Sequence, residues 1–510
     1  MVTLGSLFQW HFLSFILISI LLFCFLNIII SKFRLVNSGN NGPPTHPIIG
    51  CLISFYKNQT RLLDWYTELL TKSATKTIVI QRLGARRTIV TANPANVEYM
   101  LKTNFSNFPK GKPFTEILGD FLGSGIFNAD GELWHTQRKL ASHEFKAKSL
   151  KEFFLTTLEE EVVKGLLPVL ESLAEKQEVV DLQELLRRLA FNMICKVSLG
   201  IDRCSLDPSL PAPPLATAFD MASMICARRA AAPLFVVWKI KRWLGVGSER
   251  RLKDAVERVR NYVAEIIGNR RIMLEERAEN ESEDLLSRLI LAGHEEKVIS
   301  DMVISFMIAG RDTTSAAMTW LFWLISCYPE IEKEVVKETI FRTTTKIDYD
   351  SLKTLKLLKA CLYESMRLYP PVAWDSKHAL VHDVLPDNTT VRPGDRVTYF
   401  PYGMGRMEQL WGKDRLQFKP DRWFLEHKRR SSLRKVCPYK FPIFQAGPRE
   451  CLGKQMAFIQ MKYVVASVIR QFELKPVSSD KPIFVPYLTA HMAGGLKVLV
   501  RRRAESDKHD

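Results

Sequence analysis

The densest chemical signal in this 510-residue chain is Phe444-Gln-Ala-Gly447-Pro-Arg449-Glu-Cys451-Leu-Gly453. The two glycines permit tight turns and close approach of the backbone to a flat ligand. The Arg449 guanidinium can pair with an anionic group. Cys451 opens an apolar helical run, where the positive end of the helix dipole favours thiolate. A second signal is Ala309-Gly-Arg-Asp312-Thr313-Thr314, inside the largely apolar run from Met302 to Trp323. A buried acid without a task is costly there. Asp312 can collect protons, and the Thr313 hydroxyl can position water and pass a proton on. Glu364 and Arg367 stand at i and i+3, on one helix face, and Phe418-Lys-Pro-Asp-Arg422 supplies a further cation. Trp134-His-Thr-Gln-Arg138 joins an indole donor to a guanidinium.

In this order the motifs resemble those of the cytochrome P450 monooxygenases. The resemblance runs from Trp134 to Gly453 and covers nearly the whole body. It implies haem b as cofactor, with Cys451 as the axial thiolate on iron and Phe444 and Gly447 in the haem loop. Trp134, Arg138 and Arg449 would hold the haem propionates, and Lys377 is a further candidate for that role. Glu364, Arg367 and Arg422 would form a buried network behind the loop. Asp312 and Thr313 would be the catalytic acid–alcohol pair, and Gly310 would leave a notch for oxygen. A thiolate ligand favours O–O cleavage, which is general for this class. O2 and NADPH-derived electrons would be co-substrates, delivered with NADPH–cytochrome P450 reductase as partner. Two residues depart from the family pattern: Asp421 replaces the glutamate of Pro-Glu-Arg, and Glu450 sits beside the ligand.

The elements that must position these residues are mostly helical. The expected fold is mainly α with small β-sheets, the cytochrome P450 fold, preceded by one N-terminal anchor helix. Lys76–Gln81 and Arg86–Thr91 read as a hairpin around Gly84. Helical periodicity runs from Gly131 to about Arg342, broken by four prolines between Asp207 and Pro214. Strand-like pieces return near Val381–Val397, and a last helix follows Cys451 to about Gln471.

Phe12 to Ile30 is a nearly continuous apolar run, about 28 Å long as a helix and close to a bilayer core of about 30 Å. Lys32 and Arg34 follow it, which puts the body on the cytosolic side. The organisation expected is an anchor over residues 1–31, a Pro/Gly-rich hinge over 32–50 and a catalytic domain over 51–510. The 9 cysteines form no CxxC pair, which argues against a zinc site and a disulfide scaffold. The formal charge of +17 suits an anionic membrane or an acidic reductase face; no nucleic-acid motif accompanies it. The expected location is the endoplasmic reticulum membrane, single-pass, with the catalytic domain cytosolic.

Further phrases, among them Trp374-Asp-Ser-Lys-His-Ala and Leu410-Trp-Gly-Lys-Asp414, resemble the plant branch that hydroxylates fatty acids at or near the terminal methyl. Candidate pocket residues are apolar: Phe114, Phe121, Phe127, Phe306, Ala309, Val372, Trp374 and Leu488. They suit an alkyl chain. Alternatives are ω-oxidation of jasmonoyl-amino-acid conjugates and, in a different class, haem-thiolate isomerisation or dehydration of lipid hydroperoxides without O2 or reductase. That second class tends to lack the acid–alcohol pair, which is present here.

Four Asn-x-Ser/Thr sequons, at Asn58, Asn104, Asn280 and Asn388, test the topology. All four are expected to be unmodified in microsomes, with the body open to protease added outside intact vesicles. An endoglycosidase-sensitive mass shift would reverse the orientation.

Overall fold

A computed structural model describes residues 16–25, 42–46, 48–201, 206–276, 284–343, 347–425 and 432–504. The fold is mainly helical with small sheets. Its axis is the 32-residue helix Glu296–Cys327, most of whose residues are buried. The helix is apolar almost all round, as a helix surrounded by protein must be. Leu182–Leu199 packs along it, capped at its start by the Asp181 carboxylate, which accepts from the Gln183 N–H at 3.1 Å. Gly200, at φ +63°, ends that helix. Pro214–Ala230 and Ser248–Glu276 close one side of the cavity region. Lys356–Leu368 and Lys454–Ile469 pack on the other.

The hairpin forms as expected, with Thr77 opposite Thr91 and Gly84 at φ +70°. It belongs to a four-stranded sheet in the spatial order Thr77–Ile80, Thr88–Thr91, Arg396–Tyr399, Asp375–His378. The middle pair is parallel, from Thr88 opposite Arg396 to Thr91 opposite Tyr399. Asp375–His378 carries no apolar alternation, so its sequence reads as loop. It becomes a strand because its polar side chains meet partners inside the protein. The three-residue strand Val179–Asp181 is likewise absent from the periodicity; it is held by Lys497–Arg502, more than 300 residues away in sequence. The last helix begins at Lys454, three residues after Cys451.

Part of the expected hinge is not a free spacer. Cys51 N donates to Gln81 O at 2.8 Å and Leu83 N to Ile49 O at 3.2 Å, so the chain around Gly50 docks on the hairpin. Residues 16–25 of the apolar N-terminal run are helical and exposed; the rest of that run and residues 32–41 lie outside the described residues, as does Asn280. No helix among the described residues is long and apolar enough to cross a membrane.

Glu364 and Arg367 meet with no solvent exposure. Arg367 donates from Nε and Nη2 to the two carboxylate oxygens, both at 2.8 Å. Arg422 Nε adds 2.7 Å, Trp423 Nε1 2.9 Å and the Lys419 N–H 3.0 Å. Arg367 spends its remaining donors on backbone carbonyls, including Arg415 O at 2.6 Å and Gln417 O at 3.1 Å. Every polar atom of the pair is thereby committed, which a buried ion pair requires. Trp423 stacks toward Tyr363, and Tyr363 toward Phe458, which abuts Phe444 at 5.2 Å. The network thus backs the cysteine loop.

Glu364→Ala strands Arg367 in the interior, a loss of about 3–5 kcal/mol. Denaturant titration and the yield of soluble protein should both fall sharply, while Asp421→Glu should leave both unchanged.

Candidate active site

One cavity of about 410 Å³ is lined both by the cysteine loop and by the central helix. The loop contributes Phe444, Gln445, Arg449, Cys451, Leu452 and Gly453; the helix contributes Phe306, Ala309, Gly310, Thr313, Thr314 and Ala317. The loop is shaped by local turns. Cys451 N donates to Phe444 O at 2.8 Å, and Gln445 and Gly447 adopt φ +59° and +68°. The Cys451 sulfur is open to the cavity yet deep within the fold. Burial pushes its thiol up, against the lowering effects of the Gly453 N–H, Arg138 and Lys454. The helix begins at Lys454, three residues beyond Cys451, so its dipole reaches the sulfur less directly than the sequence suggests.

The structure moves several expected residues off the cavity wall. Gly447 does make a close approach, but to protein: a Cβ there would meet Leu101 O at 2.0 Å. Phe121 is fully buried and packs edge-on against Phe219 at 5.3 Å, outside the cavity. Gly310 does line the cavity, but its missing side chain faces protein: a Cβ there would meet Ile194 Cδ1 at 2.6 Å. Asp312 turns away from the cavity toward Arg311, 3.6 Å off, which also reaches Asp220 at 2.7 Å. Thr313 stays on the wall, its hydroxyl donating to Ala309 O at 2.6 Å. Phe114, Phe127, Phe306, Ala309, Val372, Trp374 and Leu488 all line the cavity.

A cationic rim adjoins the loop. Arg449 Nη2 donates to Ala129 O at 2.9 Å and Asp130 Oδ1 at 2.7 Å, and its guanidinium lies 4.5 Å from the Trp134 ring centre. Asp130 also accepts from the N–H groups of Lys110 and Gly111 at 2.9 and 2.8 Å. Arg138 donates to Glu450 O. Lys377 is fully buried, not surface-exposed, and lies 3.3 Å from Asp375. Lys110 pairs with the other Asp375 oxygen. Burial alone would raise Asp375; the two ammonium groups outweigh it and hold the carboxyl well below the usual range. Burial lowers Lys377, opposed by Asp375, with Lys110 and Arg449 adding to the lowering. Lys110 is absent from the sequence reading, and Asp375 and Gln445 lie inside its motifs without a role of their own. Lys377 gave a signal; its partner Asp375 lies two residues away on the same strand, and Lys110 and Gln445 reach Asp375 from two distant segments.

Cations outnumber carboxylates on this rim, and the Lys377 ammonium and Arg449 Nε lack hydrogen-bond partners. Unmatched buried donors of this kind fit a ligand that brings its own carboxylates. With a thiol opening onto the same cavity, the residues fit haem.

Helical scaffold, cysteine loop and cation rim together define a haem-thiolate enzyme. The chain matches the cytochrome P450 family over residues 41–494 and belongs to it. It is 55% identical to cytochrome P450 94B1 of Arabidopsis thaliana over 471 residues, 92% of each chain. It is 54% identical to cytochrome P450 94B3 of the same plant, covering 96% of this chain and 98% of that one. Identity to cytochrome P450 94A1 of Vicia sativa is 41%, over 90% of each. The fold matches the haem domain of cytochrome P450DA with a TM-score of 0.77 at 19% identity, covering 91% and 98% of the two chains. The protein is therefore a cytochrome P450 monooxygenase with plant relatives of the 94 series. The family implies a haem-thiolate iron, O2 and electrons from a reductase.

Cys451→Ala should abolish the red-shifted Soret band of the reduced, carbon monoxide-treated protein. Alanine at Cys195, Cys327 or Cys437 should leave it intact. A wild-type spectrum from Cys451→Ala would refute this assignment of the ligand.

Proposed function

We propose that the enzyme hydroxylates the terminal (ω) carbon of medium- to long-chain fatty acids, using O2 and NADPH-derived electrons relayed by NADPH–cytochrome P450 reductase. The observation that carries this reading is the mostly apolar cavity, about 410 Å³, lined by Cys451 and Thr313 together with cationic side chains. Aliphatic and aromatic walls exclude water and accept an alkyl chain. Terminal C–H bonds are stronger than internal ones, so attack there must be enforced by shape; Phe306, Ala309, Val372 and Leu488 supply it.

Haem, when bound, supplies the activation of O2. Cys451 is the residue to hold its iron, and Trp134, Arg138, Lys377 and Arg449, with Lys110, are those to hold its carboxylates. Thr313 is the catalytic alcohol. Its hydroxyl rests on Ala309 O, and a rotation about its side chain presents it to the cavity. Asp312 serves as proton collector on the outer side of the same helix, joined to Arg311 and Asp220. Glu364, Arg367 and Arg422 hold the loop in place and do no chemistry.

The reading places the body at the cytosolic face of the endoplasmic reticulum membrane. The short helix Phe235–Leu244 supports this: Trp243 is 84% exposed, Ile240 and Leu244 are open, and Lys239, Lys241 and Arg242 lie among them. Exposed aromatic and aliphatic groups amid lysine and arginine suit an anionic lipid interface.

With purified reductase, fatty acid should drive NADPH use and yield the ω-hydroxy acid by mass spectrometry. Jasmonoyl-isoleucine tests the competing substrate in the same assay. Thr313→Ala should keep the haem but lower product per NADPH by about a hundredfold, the low end of what a positioned proton donor contributes. Asp312→Asn should shift the balance the same way, toward peroxide or water. Undiminished coupling in both variants would remove the relay, and lipid-hydroperoxide turnover without NADPH would remove the monooxygenase reading.

A further inference from the structure

We infer that Arg396, backed by Ser376, is the subsite that takes the carboxylate of the substrate; this rests on the acyl-substrate reading above. Four cationic side chains line the cavity among the described residues: Lys110, Arg138, Arg396 and Arg449. Three of them are already committed near the cysteine loop. Lys110 pairs with Asp375, Arg449 with Asp130, and Arg138 donates to Glu450 O. Among the described residues, no carboxylate lies within ion-pairing distance of Arg396. Its one side-chain hydrogen bond runs from Nε to Ser376 Oγ, at 2.9 Å.

Strand geometry explains why Arg396 stays unpaired. Asp375–His378 pairs antiparallel with Arg396–Tyr399, with His378 opposite Arg396 and Ser376 opposite Thr398. Side chains alternate along a strand, so Arg396, Thr398, Ser376 and His378 share one face. Asp375 and Lys377 project from the other, where Tyr399 donates to Asp375 at 3.1 Å. The nearest acid is therefore turned away from Arg396 and satisfied by others. Ser376 is itself anchored to Thr398, 2.9 Å between hydroxyls, which steadies the guanidinium. Arg82, a neighbouring cation, is spent on the carbonyls of Ala232 and Pro233 at 3.2 and 3.4 Å.

Among the described residues the terminal nitrogens of Arg396 thus have no hydrogen-bond partner, and the residue lines a cavity whose remaining wall is mostly apolar. Burial lowers its guanidinium pKa, opposed by Tyr66 and Asp375 and reinforced by Arg82. A carboxylate answers this with two parallel N–H···O bonds, the geometry for which arginine is suited. Fixing one end of an acyl chain also fixes the register of the other, so the anchor selects which carbon is oxidised. The carboxylate can come from a fatty acid or from an acyl-amino-acid conjugate.

The test uses the haem-loaded full chain. Spectral titrations measure the affinity of wild type, Arg396→Gln and Arg396→Lys for lauric acid, methyl laurate and jasmonoyl-isoleucine, and product analysis gives the site of oxidation. Arg396→Gln should weaken binding of whichever acid the wild type prefers by about tenfold to a hundredfold. Methyl laurate should bind both proteins alike, hydroxylation should spread to internal carbons, and Arg396→Lys should recover part of the affinity. The carbon monoxide spectrum should stay unchanged in all three proteins. Equal affinity of wild type and Arg396→Gln for the preferred acid overturns the subsite and leaves the fatty-acid reading standing. A wild type that binds neither acid overturns both. A lost carbon monoxide band in Arg396→Gln with a normal one in Arg396→Lys would assign the guanidinium to haem retention and overturn the subsite too.

Discussion

Burying cations next to an apolar cavity is the constraint around which the rest of this molecule is arranged. Lys110, Lys377 and Arg449 come from three separate segments and are buried together, and Arg396, half-buried, lines the cavity from a fourth. Each such charge is costly unless an anion or a set of acceptors answers it. Asp375 answers two of them and Asp130 a third. Asp130 also fixes the backbone at Lys110 and Gly111, where the helix Gly111–Leu122 begins. The same carboxylates therefore set the position of a cavity-lining helix, a sheet edge and the cysteine loop. The residual positive charge is the signature of ligands that arrive with carboxylates of their own.

A second buried charge cluster serves a different end. Around Glu364 all donors and acceptors are matched within the protein, so nothing invites a ligand. Its value is geometric: it fastens the segment from Gly405 to Trp423 to the helix Lys356–Leu368, and aromatic contacts carry that rigidity to Phe444. Comparing the two clusters shows how a closed polar network builds a scaffold and an open one builds a binding site.

The legibility of these features in the sequence follows from how local they are. The cysteine loop and the Glu364–Arg367 spacing are short-range patterns and read directly. The hairpin around Gly84 and the apolar central helix are also local, and both appear where periodicity puts them. Asp375–His378 does not read as a strand, because its burial depends on Lys110, Tyr399 and Gln445, all remote in sequence. Composition could identify an apolar wall but not which residues face inward. Phe121 has the right chemistry and sits on a cavity-lining helix, yet its side chain belongs to the contact with Phe219. Gly447 and Gly310 do permit close approach, as glycines do, but what approaches is Leu101 and Ile194. A glycine announces proximity without naming the neighbour.

The acid–alcohol pair shows how one element can serve two environments. Successive residues on an α-helix point about 100° apart, given 3.6 residues per turn. Thr313 can therefore line the cavity while Asp312 beside it faces Arg311 and the outer helices. An acid projecting into the cavity would bring a second negative charge toward the cysteine sulfur and would need its own buried partner. Turned outward, it finds one in Arg311, which Asp220 also holds, and burial's pull on that guanidinium is overcome by the two carboxylates, leaving it raised. The carboxyl is thereby kept in a polar cluster with Arg311 and Asp220, and the Thr313 hydroxyl belongs to the member of the pair that lines the cavity. One backbone step thus separates a buried ion-pair cluster from the cavity wall.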